Sequence, residues 1–114
     1  MKQAITQWGN VGGLVAALYK DDYELLSRSL EDVIVEPIRS ILIPEFSKLK
    51  QSVIASGALG CGISGSGPSI FALSKGETQA RKVIETMKSV YEPLGIPFEI
   101  HCSKINETGI KIID

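Results

Sequence analysis

The chain has 114 residues, 44% of them hydrophobic and 22% charged, with a formal net charge of −1 and no basic block. That length makes one domain, residues 1–114, with a single core, and the weak charge gives nothing to hold nucleic acid or an anionic membrane surface. No apolar run approaches membrane-spanning length, and Lys2, Gln3, Thr6 and Gln7 interrupt any secretory h-region, so a cytoplasmic setting is expected. Cys61 and Cys102 are too few and too isolated for a disulfide framework or a zinc site, and both read as small buried apolar residues.

Ile5, Trp8, Val11, Val15 and Leu18 recur at the spacing of one helix face and predict a helix from Gln3 to Tyr19. Gly9, Gly12 and Gly13 weaken it by about 1 kcal/mol each against alanine, which points to another backbone packed closely there. Asp21 or Asp22 caps a second helix carrying Tyr23, Leu25, Leu26 and Leu30, and Pro37 suits the first turn of a short third one. A fourth starts after Pro44, with Phe46, Leu49, Val53 and Ile54 on its core side. Two strands then flank a glycine-rich loop. A helix from Glu77 to Tyr91 follows with Val83, Ile84, Met87 and Val90 inward, and strands are predicted at Phe98 to Ile105 and Ile110 to Ile113. The pattern is α+β, a two-layer sandwich of a mainly antiparallel sheet packed on helices.

The stretch Gly57 to Ser74, GALGCGISGSGPSIFALS, holds five glycines and a proline between apolar runs. Glycines let consecutive amides point into one concavity, which makes a nest for a carboxylate or phosphate; a tight β connection without ligand fits the same residues. Gly60, Gly62 and Gly65 spell G-x-G-x-x-G, but a dinucleotide site needs a helix to open directly after the glycines, and here Ser69 to Leu73 reads as a strand. No Gly-Lys-Ser or Gly-Lys-Thr is present to form a P-loop.

Arg39 lies within a turn of Pro37, near a predicted helix N-terminus, where the macrodipole disfavours a cation. Two roles fit: an ion pair with Glu36 or Asp32, or bidentate capture of a ligand carboxylate by the guanidinium fork. Ser64 and Ser66 lack a base to activate them, and His101, the only histidine, alternates with Glu99 and Ser103 away from the apolar side of its strand. Glu31, Asp32 and Glu36 read as the solvated end of a helix, with no further ligand set for a metal.

GALGCGISGSGPSIFAL resembles the third conserved motif of the GHMP small-molecule kinases, in the form found in members that phosphorylate L-homoserine. Glu31 to Pro44, EDVIVEPIRSILIP, is similar to the segment preceding that motif, and the likeness runs from Gln3 to Ile113. The resemblance implies a ferredoxin-like C-terminal domain of an enzyme that transfers the γ-phosphoryl of ATP to the side-chain hydroxyl of L-homoserine in threonine biosynthesis. It implies that Arg39 binds the substrate carboxylate and that Gly65, Ser66 and Gly67 wall the phosphate and substrate region, with no catalytic side chain and no metal ligand in this chain. ATP and Mg²⁺ would be held mainly by an N-terminal half bearing P-x-x-x-G-L-G-S-S-A, a form not found here, so the 114 residues alone are expected to be inactive. L-homoserine and that N-terminal half are the implied partners, and a homodimer is left open. Beside this stand a free-standing amino-acid-binding or regulatory α+β module, and a GHMP kinase for another alcohol such as mevalonate or a sugar.

Overall fold

A computed structural model describes all 114 residues. The chain runs through α1 (Lys2–Lys20), α2 (Tyr23–Ser29), a single-turn α3 (Glu36–Arg39) continued by a 3₁₀ turn (Ser40–Leu42), α4 (Phe46–Ala55), a hairpin of β1 (Gly60–Ile63) and β2 (Ile70–Leu73), and α5 (Glu77–Tyr91). The architecture is α+β in two layers, the hairpin lying on α4 and α5 while α1 packs on α2. Local chemistry sets the boundaries. Asp21 ends α1 in the left-handed region, at φ 51°, and Asp22 caps α2 by accepting the Leu25 N–H at 2.9 Å.

The core is where the fourth-helix pattern placed it. Leu49 and Val53 of α4 are fully buried with Cys61 of β1, and Ala58, Val83 and Val90 close around them. The strands pair antiparallel with Gly60 opposite Leu73 and Ile63 opposite Ile70. Gly60 is needed for packing: a Cβ there would meet Leu30 Cδ1 at 2.4 Å, so the strand could not lie against the end of α2. Ile54, expected inward, is instead exposed on the open side of α4.

Three further expectations are corrected. Cys102 is exposed, although Cys61 is buried as expected, and both thiols are free. Residues 98–105 and 110–113 form no strand. Only β1 and β2 hydrogen-bond as a sheet, and an extended segment needs a partner edge for its N–H and C=O groups. Within the first of these segments Phe98 lies against Tyr91, with ring centroids 6.0 Å apart.

The third correction concerns α1. Its inner side uses Asn10, whose amide donates to the Glu31 carbonyl at 2.8 Å, and Gln7, whose side-chain oxygen accepts the Val33 N–H at 2.9 Å. Gly13 faces Ser29 and Ala17 is buried. The apolar stripe therefore points away from the chain. Only 13 of 114 residues are buried, and the radius of gyration is 15.0 Å, against about 13 Å for a globular chain of this length.

Leu49→Ala should lower the free energy of unfolding by about 2–5 kcal/mol, since a fully enclosed leucine leaves both lost transfer energy and a cavity. Urea titrations would show the midpoint falling with the slope unchanged; a loss under 1 kcal/mol would contradict this core.

Candidate functional site

Asp32 organises the approach to α3. Its Oδ1 accepts the N–H groups of Ile34 and Val35, each at 2.9 Å, and Oδ2 accepts that of Glu36 at 3.2 Å. Burial pushes the Asp32 carboxyl up, but the three donated hydrogen bonds and the charge of Lys50 outweigh it and hold the group below its ordinary value of 3.8. The helix therefore starts one residue before Pro37, and its single turn leaves Arg39 as the last residue. The expectation of a cation near a helix N-terminus is corrected accordingly: four residues place Arg39 at the opposite end.

Glu36 and Lys50 are joined beneath this turn. Lys50 Nζ lies 2.5 Å from Glu36 Oε1 and 3.1 Å from Glu31 Oε2, with the Lys50 and Glu36 side chains only 17% and 12% exposed. Burial opposes the charge on Lys50, yet hydrogen bonds to Glu36 and Glu31 raise its pKa above the ordinary 10.5. Glu36 Oε2 is enclosed and takes no hydrogen bond; a Cβ on Gly62 would come within 3.5 Å of it. The three carboxylates thus each have a partner within the protein, two on Lys50 and one on backbone N–H groups.

Arg39 is exposed and forms none of the ion pairs open to it in the sequence, because Glu36 is taken by Lys50 and Asp32 by backbone. Its guanidinium is free to meet a ligand. The glycine loop adjoins the same segment at two points. Gly62 sits against Glu36 at the start of α3, and Ile43, just past the 3₁₀ turn, approaches Gly67 to within 3.5 Å of where a Cβ would stand.

Within the loop, Gly65 and Gly67 have φ of 62° and 81°, in the region that favours glycine. Ser64 closes the turn by donating its N–H to the Ser69 carbonyl at 2.8 Å, and its own carbonyl accepts from Gly67 N–H at 3.2 Å. The amides of Gly65 and Ser66 make no hydrogen bond to the protein, so the loop offers two adjacent donors to an anion while Gly67 shapes the turn. His101 lies far out in solvent, 3.4 Å from Glu99. Burial pushes the Cys61 thiol up to about 11.

One feature had no signal in the sequence. An open groove of about 520 Å³ runs between α3 and α4, floored by the Glu36 and Lys50 pair and flanked by Ser40, Phe46 and Ile54. It touches neither Arg39 nor Gly65 to Gly67.

Comparison with known proteins settles the family. Residues 14–93 match the family model described as GHMP kinases C terminal. The chain belongs to the GHMP kinases. A homoserine kinase from Chlorobium phaeobacteroides (strain BS1) is 45% identical over 115 residues, covering 99% of this chain and 36% of the relative. A homoserine kinase from Chloroherpeton thalassium is 52% identical over 94 residues, covering 79% of this chain and 30% of the relative. The crystal structure of a homoserine kinase from Cytophaga hutchinsonii superposes with a TM-score of 0.82 at 52% identity, over 85% of this chain and 31% of that one. This GHMP kinase chain thus spans about a third of the length of the relatives it matches.

Two outcomes are expected here. Lys50→Met should cost about 2–3 kcal/mol, because it strands the mostly buried Glu36 carboxylate, and adding Glu36→Leu should recover most of that; chemical denaturation of the single and double variants checks it. Asp32 contributes stability that is present above pH 3.8 and is lost as pH falls through its lower folded-state value. The stability gap between the unmodified chain and Asp32→Ala should therefore be full at pH 6 and shrink on acidification below 3.8, as read by unfolding midpoints at each pH.

Proposed function

We propose that this chain is the C-terminal, substrate-side domain of a homoserine kinase, an ATP-dependent cytoplasmic enzyme that forms O-phospho-L-homoserine in threonine biosynthesis. The observation that carries the reading is the meeting of the Glu36 to Arg39 turn with the Gly60 to Gly67 strand and loop, in a chain whose relatives named homoserine kinase cover almost all of it. An amino acid offers a carboxylate, and Arg39 is an uncommitted guanidinium on the short helical turn whose Glu36 end adjoins the glycine strand. In this reading Arg39 fixes the homoserine carboxylate, and the Gly65 and Ser66 amides face the phosphoryl side, with Ser66 and Gly67 forming the wall.

Phosphoryl transfer depends on positioning and charge stabilisation, so a domain without a general base can contribute through these groups. The residues present do not themselves fit a nucleotide triphosphate with its metal. Two free amides and one arginine are too few donors, and Glu31, Asp32 and Glu36 are already engaged. ATP and Mg²⁺ would be held mainly by the portion of the enzyme outside this chain. The exposed apolar stripe of α1 favours such a larger enzyme over a free-standing binding module.

In the full-length enzyme Arg39→Ala should lower kcat/KM for homoserine by about 10- to 150-fold, the equivalent of a charge-assisted contact of roughly 1.5–3 kcal/mol, and should leave the KM for ATP unchanged. Arg39→Lys should restore part of it. Steady-state titration of homoserine at saturating ATP is the measurement, and a kcat/KM within twofold of the unmodified enzyme would remove Arg39 from the site.

A further inference from the structure

Glu36 and Arg39 stand three positions apart on one helical turn, the spacing at which a carboxylate and a guanidinium meet as neighbours on a helix surface. Between Glu36 and Glu45 the sequence holds no other acidic residue. The pair is nevertheless not made. Glu36 is held beneath the turn with its side chain 12% exposed, Oε1 lying 2.5 Å from Lys50 Nζ and Oε2 enclosed near Gly62, while Arg39 stays in solvent with no ion pair.

A carboxylate that is mostly enclosed needs a cation beside it, because removing one partner of such a pair leaves an uncompensated charge out of water. Of the side chains lining the groove at Glu36, Lys50 alone is cationic. Lys50 also holds Glu31 at 3.1 Å, but that side chain is 57% exposed and keeps its water if released. Glu36 has no such alternative, and the one other cation on its own turn is Arg39. Arg39 is not part of the groove lining, so the influence of Lys50 on it runs through Glu36.

We infer that Lys50 is a positioning residue for the substrate carboxylate: by holding Glu36 under the turn, it keeps the Arg39 guanidinium out of an internal ion pair and open to the ligand. With Lys50 removed, Glu36 finds its next cation by swinging outward to Arg39. A carboxylate ligand then has to displace an internal competitor tethered on the same turn, which acts at high effective concentration. The assignment deepens the reading of Arg39 as the holder of the homoserine carboxylate and rests on it.

The test is a double-mutant cycle in the full-length enzyme, read as kcat and KM for homoserine at saturating ATP. Lys50→Met should raise the KM for homoserine by about 5-fold, as competition from a partly exposed ion pair requires, with kcat and the KM for ATP within about twofold. In the Arg39→Ala background the same substitution should change kcat/KM by less than about twofold, because the residue it acts through is gone. Adding Glu36→Leu to Lys50→Met should bring the KM back to within about twofold of the unmodified enzyme. Val35, 41% exposed and with its carbonyl accepting the Arg39 N–H at 2.9 Å, supplies a second variant that leaves Lys50 in place and decides the matter where Lys50→Met does not fold. Val35→Glu puts a competing carboxylate four positions before Arg39 and should raise the KM for homoserine at least about 3-fold above that of Val35→Gln. The inference is overturned by equal losses from Lys50→Met in the two backgrounds, by an unchanged KM in a folded Lys50→Met enzyme, or by Val35→Glu no worse than Val35→Gln; each of these leaves Arg39 in the site. An Arg39→Ala enzyme within twofold of the unmodified one is a different failure, which removes the substrate reading and this inference together.

Discussion

The ammonium of Lys50, held between Glu36 and Glu31, is the contact on which the arrangement of the site depends. Four residues of helix cannot hold themselves in water, because nucleation fixes a turn of backbone for a single hydrogen bond. The turn bearing Arg39 persists because Asp32 collects its leading N–H groups and Lys50 ties its first side chain to α4, the helix that supplies Leu49 and Val53 to the core. An exposed arginine thereby inherits its position from a buried leucine and valine. The same carboxylate lies over Gly62, so the strand entering the glycine loop is registered against the same anchor.

The division of labour between Asp32 and Glu36 illustrates how one cluster of like charges can be stable. Three carboxylates within six positions repel one another, and the chain resolves this by giving each a different kind of donor. Asp32, with the shorter side chain, reaches only local backbone; Glu31 and Glu36 reach across to one lysine. Arg39 is left out of the cluster for that reason.

What could be read in the sequence follows from whether the determinant was local. The helix over Phe46–Ala55, the hairpin around the glycines, and the helix over Glu77–Tyr91 follow from short-range periodicity and turn residues, and they stand as expected. The glycine loop was legible as a turn because its chemistry is local, and Gly65 and Gly67 take the left-handed φ that glycine permits. Reading failed where the outcome hangs on a partner. An alternating segment such as Phe98 to Ile105 becomes a strand only against an available edge, and the spacing of Ile5 to Leu18 shows an apolar face without saying which side of the helix the rest of this chain will use. The end of α3 at which Arg39 sits turned on one capping carboxylate, whose reach over four residues no periodicity displays. The Lys50 link, spanning fourteen positions to Glu36, is likewise invisible to a local pattern.

The two cysteines make a chemical asymmetry out of a packing difference. Cys61 has no exposed surface and a thiol whose pKa is raised to about 11, so at neutral pH almost none of it is thiolate and no reagent has a path to it. It serves as a piece of hydrocarbon that happens to contain sulfur. Cys102 lies on an exposed segment and is not among the side chains of the packed centre. Oxidants and electrophiles therefore encounter a protein with one thiol rather than two, and a probe attached there reports on the C-terminal segment without disturbing the layer of side chains beneath the hairpin.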